Sequence, residues 1–231
     1  MKLTWYGHSC FLITSNNGKR ILIDPFDDSI GYNNDFLHSD IIVISHNHFD
    51  HSFLKENDSN VKIINTTGVF DFDFIHIEGS SSFHDKYNGL KRGPNIIYTF
   101  TLDKLKICHL GDLGHIPLDL ISTKLENIDI LLVPIGGHFT LNGSEGAKIS
   151  KLISPKYIIP IHYKTFKSML YLDDPKNFLI SMDNVEKINS NALTSDDLKL
   201  YKENSVLLLS PPWVWFYRTK SLRRLWSRRF F

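Results

Sequence analysis

The chain has 231 residues, 42% of them hydrophobic and 22% charged, with a formal net charge of +1. That is enough apolar material for one domain with a real core, and its balanced charge points to neither nucleic acid nor an acidic partner. No apolar run approaches the ~18 residues of a membrane span and no secretory leader is evident, while the two cysteines, Cys10 and Cys108, lie singly in apolar runs; a cytoplasmic protein without disulfides is expected.

In chain order, KLTWY, CFLIT and RILID read as strands, because β-branched and aromatic residues dominate them. Asn16-Asn17-Gly18 marks a tight hairpin between the second and third, and Asp24-Pro25 ends the third, since proline cannot donate to a ladder. Residues 29–39 read as a loop. DIIVIS (40–45), VKIIN (61–65) and FDFIHIE (72–78) are further strands, and NIIYTFTL and KLKICHL pair through Asp103-Lys104. DILLVPI (129–135) and YIIPI (157–161) are apolar throughout, as strands covered on both faces are. Helices are predicted from Pro117 to Leu125, from a cap at Asn142 or Ser144 through Ile153, after Asp173-Asp174-Pro175, and briefly after Thr194. The pattern predicts an α/β layered domain over 1–210, with helices concentrated in the second half.

The stretch SHNHFDH (45–51) carries the chemistry. Alternate residues of an extended chain point to one side, so His46, His48 and Asp50 can face a common space, and His51 joins them as the chain turns. Zinc usually takes four ligands, and ligands from elsewhere must also be accommodated. Four donors from one loop therefore suggest two metals sharing it.

His-x-His-x-Asp-His after a strand resembles the signature of the metallo-β-lactamase superfamily. More narrowly, the chain resembles its UlaG-like branch of metal-dependent hydrolases, through Gly7-His8-Ser9, Leu22-Ile23-Asp24-Pro25, His84-Asp85, Gly93-Pro94-Asn95, His109-Leu110-Gly111-Asp112, Pro134 to Thr140 and Pro160-Ile161-His162-Tyr163. The resemblance implies a four-layer αβ/βα sandwich with a metal site at one edge. It implies one metal on His46, His48 and His84, a second on Asp50, His51 and His162, and Asp112 bridging them. It further implies hydrolysis of a small ester, lactone or phosphorylated metabolite by a metal-bridging hydroxide. Zinc is the expected metal and manganese the alternative; His48 stands where the di-iron, oxygen-reducing relatives commonly carry glutamate. Asp50, Asp112 and His138 are the candidate catalytic residues, with His138 as proton donor. His8, Asp24 and His109 are expected behind the ligands, Asp85 as an orienter or acid, and Tyr163, Lys164, Lys91 and Arg92 as candidates for an anionic substrate group.

Two other functions fit the same residues: a phosphodiesterase acting on a phospholipid or cyclic nucleotide, and a non-catalytic metal-binding interaction protein. The long insert with which nucleases of the superfamily clamp RNA is lacking, so no nucleic acid is expected. A small-molecule substrate and a homo-oligomer are. The segment 211–231 departs from the family pattern. It holds six Arg or Lys and no acid among aromatic residues, a mixture suited to peripheral contact with an anionic membrane surface.

Overall fold

The computed structural model describes residues 1–55 and 61–212. Two mixed sheets lie face to face. The first contains β1 (Lys2–Gly7), β2 (Cys10–Thr14), β3 (Arg20–Ile23), β4 (Ile41–Val43), β5 (Lys62–Ile64) and β13 (Ala192–Thr194), in the order β13-β1-β2-β3-β4-β5. The second contains β6 (Gly68–Phe72), β7 (Ile75–Phe83), β8 (Pro94–Leu102), β9 (Leu105–His109), β10 (Ile130–Pro134), β11 (Tyr157–Ile161), β12 (Val185–Ile188) and β14 (Ser205–Leu209), in the order β12-β14-β11-β10-β9-β8-β7-β6.

Period-2 alternation divides each strand of the first sheet between two cores. Leu3 pairs with Ile13 and Trp5 with Phe11, and these join Ile21, Ile23 and Val43 against Ile77, Ile97, Phe100 and Ile107 of the second sheet. Cys10, Leu12, Leu22 and Ile42 face the other way, under Phe26, Ile30 and Tyr32. That outer face is covered among the described residues by the loop after β3 and its 3-10 turn at Asp28–Ile30.

The helices α1 (Leu118–Thr123), α2 (Gly143–Ile153) and α3 (Lys176–Ile180) belong to the second sheet, and α4 (Ser195–Leu198) follows β13. Asn142 caps α2 by accepting from Glu145 N–H, and Glu145 returns the bond to Asn142 N–H, a capping box worth ~1 kcal/mol. Thr194 and Asp197 do the same for α4.

Three expectations change. The run 72–78 is not one strand: it spans the end of β6, a turn at Asp73-Phe74 and the start of β7, with Phe72 and Ile75 paired. The helix after Asp173 starts later and is short; Asp174 accepts from Lys176 N–H. Strands β12, β13 and β14 escaped the sequence reading, since β12 (VEKI) and β13 (ALT) are too brief and mixed to carry a periodic signal. Of the basic segment 211–231, residues 213–231 lie outside the described residues, so its role is untouched by the fold. Among the described residues no helix is long and apolar enough to cross a membrane.

Candidate metal centre

The candidate ligands stand where strands end. β3 runs parallel to β4, and β9, β10 and β11 run parallel to one another, so their carboxyl ends reach one edge of the sandwich together. At that edge the chain repeatedly turns through left-handed backbone: His8 (φ 51°), Asp24 (φ 48°), Gly111 (φ 58°), His138 (φ 49°) and His162 (φ 51°). Left-handed conformations are unfavourable for residues with a Cβ, so His8, Asp24, His138 and His162 carry a backbone cost at this edge.

Asp24 organises the histidine loop. Its carboxylate accepts from Ser45 N–H (2.7 Å), from Ser45 Oγ–H (2.6 Å) and from His51 Nδ1–H (3.0 Å). Because the Ser45 hydroxyl donates to Asp24, its oxygen accepts from His46 Nδ1–H at 3.0 Å. Both rings are thereby held in the tautomer whose Nε2 lone pair faces inward, the form a metal requires. His48 O accepts from the backbone of His51 and Ser52 and from Ser52 Oγ, and this turn swings His51 back towards His46.

Asp112 sits at the middle. Its Oδ2 lies 3.1 Å from His84 Nε2, 3.1 Å from His162 Nε2 and 3.7 Å from His46 Nε2, and its Oδ1 lies 3.2 Å from His51 Nε2. Asn95 was not anticipated in this role: its Oδ1 accepts from Asp112 N–H, while its Nδ2 donates to Ser82 Oγ and Leu110 O. A Cβ on Gly111 would stand 2.3 Å from Asn95 Oδ1, so glycine is required there for space as well as for φ. Its only sequence signal was its place in Gly-Pro-Asn. Gly136 is clamped likewise, since a Cβ there would stand 2.1 Å from His162 O.

Among the described residues, three overlapping sets of ligand atoms each fall within 4.8 Å: His46, His48 and His84; His46, His51 and Asp112; and His8, Asp50, His51 and His162. All seven predicted ligands are therefore brought together, from segments as distant as 46 and 162. The fit to cations rests on what these atoms lack. His46 Nε2 and Asp112 Oδ1 are buried without a hydrogen-bond partner, an arrangement costly for polar atoms unless an ion completes it.

The electrostatics are those of a cavity built for positive charge. Burial pushes the His46 imidazole down, the neighbouring His51 charge adds to this, and it stays neutral above about 3. Burial would raise Asp112, but the charges of His162 and His51 outweigh it and hold the carboxyl well below the usual range. Burial likewise disfavours a charged His51, yet the Asp112 carboxylate raises its pKa well above the ordinary value.

Other predicted residues fall elsewhere. His109 is fully buried; its Nε2–H donates to Ser9 O, and its Nδ1 accepts from Gly111 N–H, which shapes the turn that delivers Asp112. His138 is outside all three ligand sets, with its Nε2 3.1 Å from Asp173 Oδ1. Asp85 is neither orienter nor acid. Its carboxylate accepts from the backbone N–H of Tyr87, Gly89, Lys91 and Arg92 and so shapes the 85–92 loop. Desolvation would raise its pKa, but these four bonds outweigh it and lower it to about 2. Lys164 is also reassigned: its Nζ donates to Ser168 O and Leu170 O, so it ties a loop together. Tyr163 is buried against Trp5. Lys91 and Arg92 do reach a cavity of about 380 Å³ beside His84, together with His138. Lys91 lies over the Tyr87 ring and Arg92 over the Phe139 ring.

Residues 2–162 match the family model of the beta-lactamase superfamily domain. A UPF0173 metal-dependent hydrolase of Thermoplasma volcanium is 30% identical over 72% of this chain and 85% of its own. Another, of Anoxybacillus flavithermus, is 29% identical over 81% of this chain and 96% of its own. A crystal structure from Thermotoga maritima, described as a Zn-dependent hydrolase of the metallo-β-lactamase superfamily, superposes with a TM-score of 0.69 at 32% identity, covering 90% of this chain and 99% of that one. The chain belongs to the metallo-β-lactamase superfamily and is a relative of its metal-dependent hydrolases.

Proposed function

We propose that the protein is a dinuclear metal-dependent hydrolase acting on a small ester, lactone or phosphorylated metabolite. The observation that supports this best is the position of Asp112, within 3.7 Å of four histidine Nε2 atoms contributed by three separate segments. His46, His48 and His84 would hold one divalent ion, Asp50, His51 and His162 the other, with Asp112 between them. Bound divalent ions supply Lewis acidity and lower the pKa of a coordinated water to about 7. Imidazole and carboxylate donors suit zinc and also admit manganese.

The remaining chemistry belongs to the chain. Asp24 holds His46, through Ser45, and His51 in ligand form. His138 lines the cavity that opens beside His84, and with Nε2 turned to Asp173 its Nδ1 is the atom that would pass a proton to a leaving group. The Lys91 and Arg92 side chains lie over aromatic rings, and with Lys86 they outnumber Asp85 and Glu145 in the cavity lining, a surplus of positive charge suited to an anionic substrate. The same surplus favours, as second reading, a phosphodiesterase. The UlaG-like branch, some of whose members open a phosphorylated sugar lactone, fits the first. The buried free cysteines are consistent with a reducing cytoplasm.

The test is hydrolysis by metal-loaded protein of a panel of lactones, carboxylic esters and bis-p-nitrophenyl phosphate. Turnover abolished by chelation and by Asp112→Asn is expected, with anionic lactones or esters preferred. Turnover of the phosphodiester alone would establish the second reading. Two bound ions with no hydrolysis across the panel would overturn both.

A further inference from the structure

His8 was expected behind the ligands; its placement says otherwise. We infer that His8 is itself a ligand of the second metal position, joining Asp50, His51 and His162, so that with Asp112 this position has five protein donors against four at the first. The inference rests on the metal-centre reading above and adds a residue that the signature motif does not contain.

The spacing carries the argument. His8 Nε2 lies 3.2 Å from Asp50 Oδ2 and 3.2 Å from His51 Nε2, and its ring centroid is 4.2 Å from that of His162. Two donors each about 2.0–2.1 Å from one zinc stand roughly 3.0–3.4 Å apart, so His8 meets two neighbours at the separation that ligands of one ion show. With one hydrogen on each ring, the hydrogen bonding does not close. His51 gives its Nδ1–H to Asp24, which leaves its Nε2 as a lone pair, and Asp50 Oδ2 is another acceptor. A single hydrogen on His8 Nε2 can serve one of the two, and His51 Nε2 also faces Asp112 Oδ1 at 3.2 Å. A cation among these atoms satisfies them together.

The backbone at His8 is also fixed and the ring buried. His8 is 1% exposed. Its carbonyl accepts from Trp5 Nε1–H at 3.0 Å and from His162 N–H at 3.2 Å, which ties its backbone to another ligand. The left-handed turn at His8 follows Gly7 (φ 108°), where a Cβ would lie 2.3 Å from the Tyr32 ring. A surface histidine or a loosely placed orienter needs none of this. The consequence is an asymmetric pair. Five donors suit an ion of higher coordination number than tetrahedral zinc, whereas the first position, whose ligand His84 lines the cavity, is the one adjoining the space open to a substrate.

The experiment is cobalt(II) titration of the full metal-free chain, read by binding and by visible absorption. It compares wild type with His8→Asn, chosen because asparagine tolerates left-handed backbone, and with His8→Asp, which restores a donor. Wild type should take two equivalents. His8→Asn should bind the first unchanged and the second more than about 100-fold weaker, beyond the 10–100-fold that loss of an orienting partner costs. The band of the second ion should intensify as five donors become four, and His8→Asp should recover the second equivalent. Circular dichroism matching wild type shows that the variants fold; if His8→Asn does not fold, the comparison is carried by His8→Asp, which should keep two equivalents with a changed spectrum. A His8 variant with two ions bound and the wild-type cobalt spectrum overturns the inference and leaves the metal centre standing; wild type that takes up no cobalt overturns both.

Discussion

The two ends of the sandwich contrast. At the end away from the candidate centre, tight turns use the residues that such turns ordinarily take. Asn16-Asn17-Gly18 joins β2 to β3, Asp103-Lys104 joins β8 to β9, and Asn127 and Asn204 occupy left-handed positions before β10 and β14. Polar groups there are paired: Asp103 Oδ2 accepts from Asn16 N–H, and Asp129 accepts from Lys106 N–H. At the other end, histidines and an aspartate adopt the same left-handed backbone. Among the described residues, most of the buried polar side-chain atoms without partners cluster there, on His8, His46, His84, Asp112 and His162. One end is arranged for folding, and the other tolerates strain and unmet hydrogen bonds in order to hold charge.

Perturbing the strained end should cost function most. Asp112→Asn removes the central charge, and hydrolysis should fall by at least ~10³-fold, the upper range for one preorganised electrostatic group, with metal content measured in parallel. Asp24→Asn disturbs only the partners of His46 and His51, so metal affinity should drop roughly 10–100-fold, read by competition with a chelator. Gly111→Ala places a Cβ against Asn95 Oδ1 in a left-handed turn and should cost about 1–3 kcal/mol in denaturant unfolding, with metal affinity reduced as Asp112 shifts. If Gly111→Ala weakened metal binding without any loss of stability, the link from strain to site would be wrong.

Changes at the ordinary end or on the outer layer should leave the chemistry alone. Thr194→Ala deletes the α4 cap and should cost ~1 kcal/mol. Lys104→Gly relieves a left-handed lysine (φ 68°) in a two-residue hairpin and should gain up to about 1 kcal/mol, with turnover unchanged. A turnover loss in Lys104→Gly would dissolve the contrast between the ends. The 85–92 loop gives a pH handle. The Asp85 pKa is lowered to about 2 in the folded chain, so its contribution is present above the ordinary carboxylate value and is lost as pH falls through about 2; exchange of the Tyr87, Gly89, Lys91 and Arg92 amides should accelerate in that window.

Much of this was legible before any coordinates. The strands from KLTWY to YIIPI declare themselves because β-branched and aromatic runs between turn residues have few other uses. The loop 45–51 declares itself because dense histidine spacing after a buried strand is hard to explain otherwise. What stayed hidden depended on neighbours distant in sequence. β12 and β13 are short and mixed, and their pairing with β14 and β1 comes from register rather than composition. Asn95 and Asp85 look like turn residues until their partners on Asp112 and the 85–92 backbone are seen.

The order of motifs and the ligand chemistry were written in the sequence, since residue type and spacing set which atoms can donate to a cation and which runs must be strands. Which nitrogen faces inward, that His8 stands among the ligands, and that Lys164 serves a loop were decided only by the tertiary structure. The first two depend on distances of about 3 Å between side chains as far apart in the chain as His8 and His51, and the third on where the backbone of 168–170 turns back; hydrogen bonding and ligation vary steeply over that range while residue identity carries no record of it.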